Sequence, residues 1–420
     1  MKNQLDQELE TIDSLTKPGL TWVEYSAYAL GVNIAPRKRS SWPCSFLRIF
    51  ALLVNLFIIH SLIKFIIANY KVSFEAYVEA VLLSFQLSIG MVKMMHFQLF
   101  LESCVELVET TETGDVLRNL GLFDLNLANK SALRKTLGSM LTKSWVAINS
   151  QVMFFFKIVC MPVLYYCLRP YFQYMYDCYI VKDTCEMTLT YPAIVAYVQL
   201  GTHEIPSYWV RFYLLQSGPV WCFFAVFGFN SLFVVLTNHE ACLLEILRYL
   251  VRHSTDDAVV PKRSRPQYLR CCAKLFTRIS RHHDQIELVF KYIILVQCII
   301  SSILICMLLY KISTVLEVGI VWMGMIMVYL LTITLEISLY NVNAQKVETQ
   351  SELLFSDWYN CDWYDECEDF KCIIKLMLMF SRREFVLSVG GFANLSHGLL
   401  VQVFRMSGNF FLLLRNMNNK

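Results

Sequence analysis

Charged residues are scarce in this sequence: Asp, Glu, Lys and Arg make up 17% of its 420 residues, whereas hydrophobic residues make up 56%. A soluble core explains this balance poorly, and a polytopic membrane protein explains it well. The first residues are polar rather than apolar, so we expect no cleavable signal peptide and take the first apolar segment as its own insertion signal.

Motifs for catalysis and for metal binding are also missing. The sequence has no HExxH or GxSxG pattern, and His60, His96 and His397 are scattered along the chain. Its 15 cysteines include no pair of CxxC motifs of the kind that binds zinc. We therefore expect no enzyme activity, no metal site and no cofactor, and nothing indicates a nucleic-acid partner.

Long apolar segments are what the chain has instead. A hydrocarbon core of about 30 Å needs roughly 20 apolar residues in a helix. Seven segments meet this length: Phe46–Ala68, Ala76–Leu99, Trp145–Leu168, Trp209–Leu236, Ile286–Tyr310, Val315–Tyr340 and Phe385–Leu414. The sequence therefore predicts an all-α membrane protein with seven transmembrane helices.

The basic residues outside these segments are distributed unevenly between the two sides. Roughly 24 Lys and Arg fall on the side of the N-terminus and 6 on the other side. Basic residues concentrate on the cytoplasmic side of membrane proteins, so the pattern predicts a cytoplasmic N-terminus and an extracellular C-terminus. The cluster from Arg37 to Arg39, close to the first segment, should dominate this orientation.

Hydrophobic periodicity continues beyond the membrane on the cytoplasmic side. Leu243, Leu247 and Leu250 recur at helical spacing among charged residues, which predicts that the fourth helix runs on into the cytoplasm. Residues 254–266 contain two prolines and three basic residues and indicate a disordered or turning linker. With amphipathic stretches before the fifth and after the sixth segment, we expect a packed cytoplasmic helical layer, formed within one chain or between subunits.

These features predict six regions. They are a cytoplasmic N-terminal segment (1–45), transmembrane helices 1 to 4 (46–237), cytoplasmic anchor helices with a linker (238–285), transmembrane helices 5 and 6 (286–340), a cytoplasmic helical segment (341–383), and a seventh transmembrane helix with the C-terminus (384–420).

Three other groups of residues each give a separate structural prediction. Cys178 and Cys185 lie together in a segment placed outside the cell, where a disulfide between them competes with two free thiols. Lys93 is expected to face protein or the water boundary, and Glu336, near the cytoplasmic end of its segment, to extend its carboxylate towards water. Gly390 and Gly391 predict close helix packing or a kink in the last segment.

The chain resembles the insect odorant receptor family. The resemblance rests on the stretch from Ile279 to Ile286, on Leu339–Asn341 with Glu352–Leu354 and Tyr359–Tyr364, and on the ending Phe410–Arg415. It covers nearly the whole chain, because length, segment number and topology agree as well. The gustatory receptor branch is the alternative, but the Thr-Tyr motif expected ahead of Gln402 and Phe404 is missing. A G-protein-coupled receptor would have the opposite orientation.

The resemblance implies a ligand-gated, non-selective cation channel in the plasma membrane, expected on the dendrites of olfactory sensory neurons. It also implies a heterotetramer with an obligate co-receptor of the same fold. The short segment from Arg252 to Ser280 lacks the insertion of the co-receptor, which favours the ligand-tuning subunit. The last helix would line the pore with Gln402, Asn409, Leu412 and Leu413, and Leu412 matches the apolar constriction of the family. Leu413 or Leu414 takes this place if the register differs by one or two residues, and the alternative for Leu412 is packing against a neighbouring subunit. Its polar residues agree with a water-facing surface.

The resemblance places the ligand pocket in the outer half of the bundle, between the second, third, fourth and sixth helices. A small, apolar, volatile ligand needs aromatic, Met and aliphatic neighbours with one or two polar groups. Residues of these types in the outer halves are the candidates: Phe85, Phe155, Met161, Tyr165, Phe212, Gln216, Trp322 and Met323. Each could equally serve ordinary helix packing.

Overall fold

A computed structural model of the chain describes residues 18–34, 42–69, 74–117, 120–176, 178–179, 205–314 and 320–418. The elements in these ranges are α1 (Pro18–Ala29), α2 (Trp42–Asn69), α3 (Phe74–Leu99), α4 (Leu101–Thr113), α5 (Lys130–Tyr176), α6 (Ile205–Arg252), α7 (Arg265–Thr314), α8 (Ile320–Asn360), α9 (Glu368–Ser381), β1 (Ser388–Val389), β2 (Ala393–Asn394) and α10 (His397–Asn418). Short 3₁₀ helices cover Leu122–Asp124 and Lys262–Ser264.

Six of these helices, α2, α3, α5, α6, α7 and α8, are long and apolar enough to cross a bilayer. The seventh, α10, is shorter at 22 residues and more polar. Together they confirm the prediction of an all-α membrane protein with seven helices, interrupted only by a small hairpin in the described part of the chain. We call the end of the bundle that the basic residues predict to be cytoplasmic the inner end, and the opposite end the outer end.

Helix α6 lies at the centre of the bundle. In the most apolar part of α6, 83% of the residues are buried inside the chain, whereas in the most apolar part of α5 only 17% are buried. It packs against α1, α2, α3, α5, α7 and α8. Its side chains Phe227, Phe229 and Phe233 are fully buried, because a helix that is apolar on all sides can be surrounded by neighbours. α5 leaves most of its apolar surface on the periphery.

The inner ends of α6, α7 and α8 extend past the bundle and pack with α9 into what we call the inner layer. Leu247 from α6, Leu275 from α7, Trp358 from α8 and Phe370 from α9 belong to one buried cluster. The predicted extension of the fourth helix into this region is confirmed, since α6 runs without interruption to Arg252. The layer has its own apolar core within a single chain.

The linker between α6 and α7 is ordered by ionic contacts. After turns that follow α6, the 3₁₀ helix leads into α7 at Arg265. The guanidinium of Arg265 is buried and donates to the carboxylates of Asp257, at 2.8 Å, and Glu366. The sequence predicts either a disordered linker or one made of turns, and the structure shows turns.

The last segment differs from its prediction. The sequence placed one helix from Phe385 to Leu414, but the helix begins at His397, and residues 388–394 form an antiparallel hairpin in which Ser388 pairs with Asn394. Gly390 and Gly391 have φ angles of 62° and 81°, which other residues adopt at a cost, so they form the turn rather than a helix contact or kink. The amide of Gly390 donates to the carbonyl of Lys291 at 3.0 Å and fixes the hairpin on α7.

Candidate functional site

A cavity of about 640 Å³ opens in the outer half of the bundle, among α3, α5, α6, α7 and α8. Its size suits a small organic ligand. The wall is formed by Leu82, Leu83, Gln86, Leu87, Val159, Met161, Pro162, Val163, Leu164, Tyr165, Tyr166, Arg169, Pro219, Cys222, Phe223, Val226, Leu308, Lys311, Gly324, Ile326, Val328, Tyr329 and Thr332. These helices are the four that the sequence predicts around the pocket, with α7 in addition.

Most of this wall is aliphatic or aromatic, and its polar side chains include two sets in different places. Arg169 and Lys311 come from the outer ends of α5 and α7. Gln86 and Tyr329 come from the facing helices α3 and α8 and are joined by a hydrogen bond, in which the phenol of Tyr329 donates to Oε1 of Gln86 at 3.1 Å. Such a wall is chemically suited to a molecule that is mainly apolar.

Close contact between α3 and α6 shapes one side of the cavity. A Cβ atom at Gly90 would lie 2.6 Å from Sγ of Cys222, so only glycine permits this approach. The Cys222 thiol donates to the backbone carbonyl of Gln86 at 3.2 Å. Pro219, also in the wall, has no N–H for the helix ladder of α6, and membrane helices tolerate such an interruption where neighbours or a cavity surround it.

A buried ionic cluster lies directly on the inner side of the cavity. The Lys93 ammonium donates to Oε1 of Glu336 at 2.7 Å and to Oδ1 of Asn230 at 2.8 Å. Asn230 Nδ2 donates to the same Glu336 oxygen at 2.7 Å, and the Tyr340 hydroxyl donates to Asn230. Asn230 and Glu336 each follow a cavity residue, Val226 and Thr332, by four positions on the same helix.

This cluster corrects one expectation and agrees with another. Glu336 does not extend towards water: it is 3% exposed and binds Lys93. Lys93 faces protein, and it is 0% exposed. A buried charge is tolerated in a membrane helix when an opposite charge neutralises it and hydrogen bonds satisfy it, and this cluster provides both.

The predicted pocket residues lie in different places. Met161 and Tyr165 are in the cavity wall. Phe85 packs in a separate apolar cluster of α3, α7, α8 and α10, and Phe155 stacks on Phe227 in the main core. Gln216 donates to the carbonyl of Cys167 at 2.9 Å.

The remaining candidates do not contribute to the wall that the structure describes. Met323 is half-buried and is not among the wall residues, although its neighbour Gly324 is. The side chains of Phe212 and Trp322 lie outside the described residues. Cys185 also lies outside them, so its bridge with Cys178 stays a prediction.

Sequence reasoning missed Gln86 and Tyr329, the hydrogen-bonded pair in the wall. Gln86 directly follows the candidate Phe85. Successive residues of a helix point in directions that differ by roughly 100°, so Gln86 faces the cavity while Phe85 faces the neighbouring apolar cluster. A signal was present in the sequence, because a glutamine inside an apolar segment is expected to face the bundle interior rather than lipid.

The four predicted pore residues share the exposed side of α10. Gln402, Asn409, Leu412 and Leu413 are all exposed, with Leu412 at 53% and Leu413 at 56%. The opposite side is buried: Val403 belongs to an apolar cluster, and the Ser407 hydroxyl donates to the carbonyl of Ser302 on α7 at 3.2 Å. One side of α10 is therefore held by the chain and the other is available to water or to another subunit.

Comparison with known proteins gives consistent matches over the chain. The family model described as 7tm Odorant receptor matches residues 78–408. Odorant receptor 67b of Drosophila melanogaster is 70% identical over 421 residues, which cover 100% of both chains. Odorant receptor 63a of the same species is 27% identical over 334 residues, which cover 78% of this chain and 79% of that protein.

Solved structures with the same fold include the insect olfactory receptor OR5 from Machilis hrabei. It matches with a TM-score of 0.70 and 12% identity, covering 98% of each chain. The structure of that receptor in complex with eugenol matches with a TM-score of 0.69 and 11% identity, covering 94% of this chain and 98% of the other.

Proposed function

The chain belongs to the insect odorant receptor family, and on that premise we propose that it is the odorant-binding, tuning subunit of a ligand-gated, non-selective cation channel. In this proposal it assembles as a heterotetramer with a co-receptor of the same fold, in the plasma membrane of olfactory sensory neuron dendrites. A small volatile molecule enters the cavity and shifts the channel towards its open state.

The observation that carries the proposal is the cavity. It combines a largely apolar wall with a few polar groups, and its volume of about 640 Å³ can enclose a molecule of volatile size. The OR5 receptor, which shares the fold, has been solved in complex with eugenol, a small molecule. Both points support binding of a small ligand within the bundle of this chain.

Gating in this proposal follows from a difference in affinity. A ligand that binds the open-state cavity more tightly than the closed-state cavity shifts the population towards the open state, whereas equal affinity for both shifts nothing. The ionic cluster of Lys93, Asn230 and Glu336 joins α3, α6 and α8 just inside the cavity. It is therefore placed to keep these helices together as the cavity changes shape.

The exposed side of α10 supports a pore in the assembled channel. Asn409 and Leu413 follow Gln402 by 7 and 11 positions and point in nearly the same direction, whereas Leu412, at 10 positions, is turned by roughly 80°. A ring of leucines can close a pore because a narrow apolar throat excludes water and ions. Leu412 and Leu413 are both candidates for this ring, and the helix geometry aligns Leu413 with Gln402 and Asn409.

Filling the cavity tests the proposed ligand site. Whole-cell current is recorded from cells that express the chain with an insect odorant co-receptor, during a broad odorant panel and with G-protein signalling blocked. Leu83→Trp places a bulky ring in the cavity, and we expect it to abolish odorant-evoked current at unchanged surface expression. Leu53→Trp, at a 60% exposed position of α2, is the matched control and should respond normally. Normal responses from Leu83→Trp would reject this ligand site, and current lost under the block would favour G-protein signalling.

Substituting the two leucines separately tests the proposed gate. Leu412→Ser and Leu413→Ser each add a hydroxyl to the apolar ring, and the variant that alters the throat should pass cation current without odorant. The comparison of baseline currents, each corrected for surface expression, identifies the residue. If neither variant changes the baseline or the odorant-evoked current, the gate does not lie at this level of α10.

A further inference from the structure

The polar pair of the cavity wall makes one amide group available to a ligand. The phenol of Tyr329 donates to Oε1 of Gln86, and that bond occupies the acceptor side of the amide. Nε2 of Gln86 carries two N–H groups, of which the sulfur of Cys222 engages at most one. Gln86 is half-buried, and the surface that remains accessible contributes to the cavity.

The neighbouring polar groups on this side of the cavity use at most one of these N–H groups. The Cys222 thiol donates to the backbone carbonyl of Gln86, and its sulfur also lies within hydrogen-bonding reach of the Gln86 side-chain amide. A sulfur at this position engages at most one of the two amide N–H groups. The Thr332 hydroxyl donates to the carbonyl of Val328 at 2.9 Å within its own helix. Nε2 of Gln86 therefore keeps one N–H group for a bound molecule on this side of the cavity.

We propose that Gln86 and Tyr329 determine the class of odorant, and that they select neutral, mainly apolar molecules with one hydrogen-bond-accepting oxygen, such as a ketone, an ester or an alcohol. This inference rests on the proposed function of the cavity as the ligand site. Tyr329 positions the amide, Gln86 Nε2 donates to the ligand oxygen, and the hydrocarbon part of the ligand contacts the aliphatic wall. A ligand without the oxygen leaves this N–H group without an acceptor, which lowers its affinity.

An ionised ligand fits this site less well. The amide and the phenol are neutral, and the wall around them is apolar, so moving a carboxylate from water into it would cost more than one neutral donor returns. The two cationic residues of the wall, Arg169 and Lys311, come from the outer ends of their helices and are not part of the pair. The pair therefore favours uncharged oxygen compounds over acids.

Ligand pairs that differ only at the oxygen provide the test. Cyclic and linear ketones are compared with hydrocarbons in which a methylene group replaces the carbonyl oxygen, for example cyclohexanone with methylenecyclohexane. The ratio of half-maximal concentrations within a pair cancels differences in gating and expression. For the wild-type chain with its co-receptor, we expect the ketone to be about 10-fold more potent, which corresponds to about one hydrogen bond.

Two conservative variants locate this preference. Gln86→Leu removes the amide and should reduce the potency ratio to about one, with the hydrocarbon response retained. Tyr329→Phe removes only the hydroxyl that orients the amide and should reduce the ratio to about threefold. Tyr292→Phe, at a 59% exposed position of α7 outside the cavity, is the matched control. A purely structural role of the pair would weaken both members of each ligand pair equally and would overturn the inference.

The outcomes separate this inference from the proposed function. If Leu83→Trp abolishes responses while Gln86→Leu leaves the ratio unchanged, the cavity is the ligand site and the polar pair does not select the ligand. If the wild-type chain prefers the hydrocarbons, or responds to other apolar volatiles but to neither member of any pair, the pair is likewise rejected. If Leu83→Trp responds normally, the ligand site itself lies elsewhere.

Discussion

Two ionic clusters stabilise different regions of this chain with the same kinds of groups in different surroundings. In the bundle, the side chains of Lys93 and Glu336 are 0% and 4% exposed, and their charged atoms lie 2.7 Å apart. In the inner layer, Asp357 accepts from Nε of Arg248 and Nε of Arg252, each at 2.7 Å, but the Arg252 side chain is 55% exposed. The ion pairs in the two regions therefore have the same distance between charged atoms, although their side chains differ widely in exposure to water.

The difference shows that distance alone does not determine what an ion pair contributes. In the bundle, each charge depends on the other, because no water can replace the missing partner. In the inner layer, one carboxylate is shared by two guanidinium groups, and water can solvate the exposed one. We therefore expect the cost of breaking a contact to follow the burial of the group left behind.

The largest effect is expected from Lys93→Met. It leaves Glu336 buried without its counter-charge, and removal of one partner from a buried pair costs about 3–5 kcal/mol. The measurement is the unfolding temperature of the purified protein in detergent, together with the folded fraction at the cell surface. Lys157→Met, which removes an exposed lysine from α5, is the matched control and should have little effect.

A double variant sharpens this prediction. Lys93→Met combined with Glu336→Leu removes both charges and should recover much of the lost stability, because no uncompensated charge remains. Wild-type stability of the single variant would contradict the view that the buried charges depend on each other. A double variant as unstable as the single one would assign the loss to packing rather than to charge.

The sequence predicts the inner layer better than the bundle interior. Leucines at helical spacing and basic residues on one side are local patterns, and they indicated both the extension of α6 and the inner layer. The contact between Lys93 and Glu336 joins positions 243 residues apart, and no local pattern specifies which helices meet. Periodicity also gives the depth of a residue in the membrane more readily than its direction, so the sequence alone does not show that Gln86, rather than Phe85, faces the cavity.

The last segment shows a second limit. Residues 385–396 are apolar enough to continue a helix, and within a helix the two glycines predict a packing contact or a kink. The structure uses their positive φ angles for a hairpin turn that is fixed by the amide of Gly390 and by a 2.7 Å bond from the Ser388 hydroxyl to Glu287. Both anchors come from α7, a partner about a hundred residues earlier in the chain, so the turn depends on tertiary contacts.

The smallest effects are expected where the two arginines of Asp357 are compared. Arg248 is 12% exposed at its side chain and also donates to Gln350 at 2.6 Å, whereas Arg252 is mostly in water. Arg248→Ala should lower the free energy of unfolding by about 3 kcal/mol, because it removes two hydrogen bonds of a charged group and each contributes about 1.5–3 kcal/mol. Arg252→Ala should lower it by less than about 1 kcal/mol, as for other exposed ion pairs.

Salt separates the two contributions further. The attraction between Arg252 and Asp357 is screened by ions in solution, so the small loss caused by Arg252→Ala should disappear at about 1 M salt, whereas the loss caused by Arg248→Ala should persist. Denaturant unfolding of the purified protein at low and high salt measures both losses. Since both arginines contact the same carboxylate at the same distance, equal losses at both salt concentrations would mean that burial does not set the strength of these contacts, and the contrast between the bundle and the inner layer would need another cause.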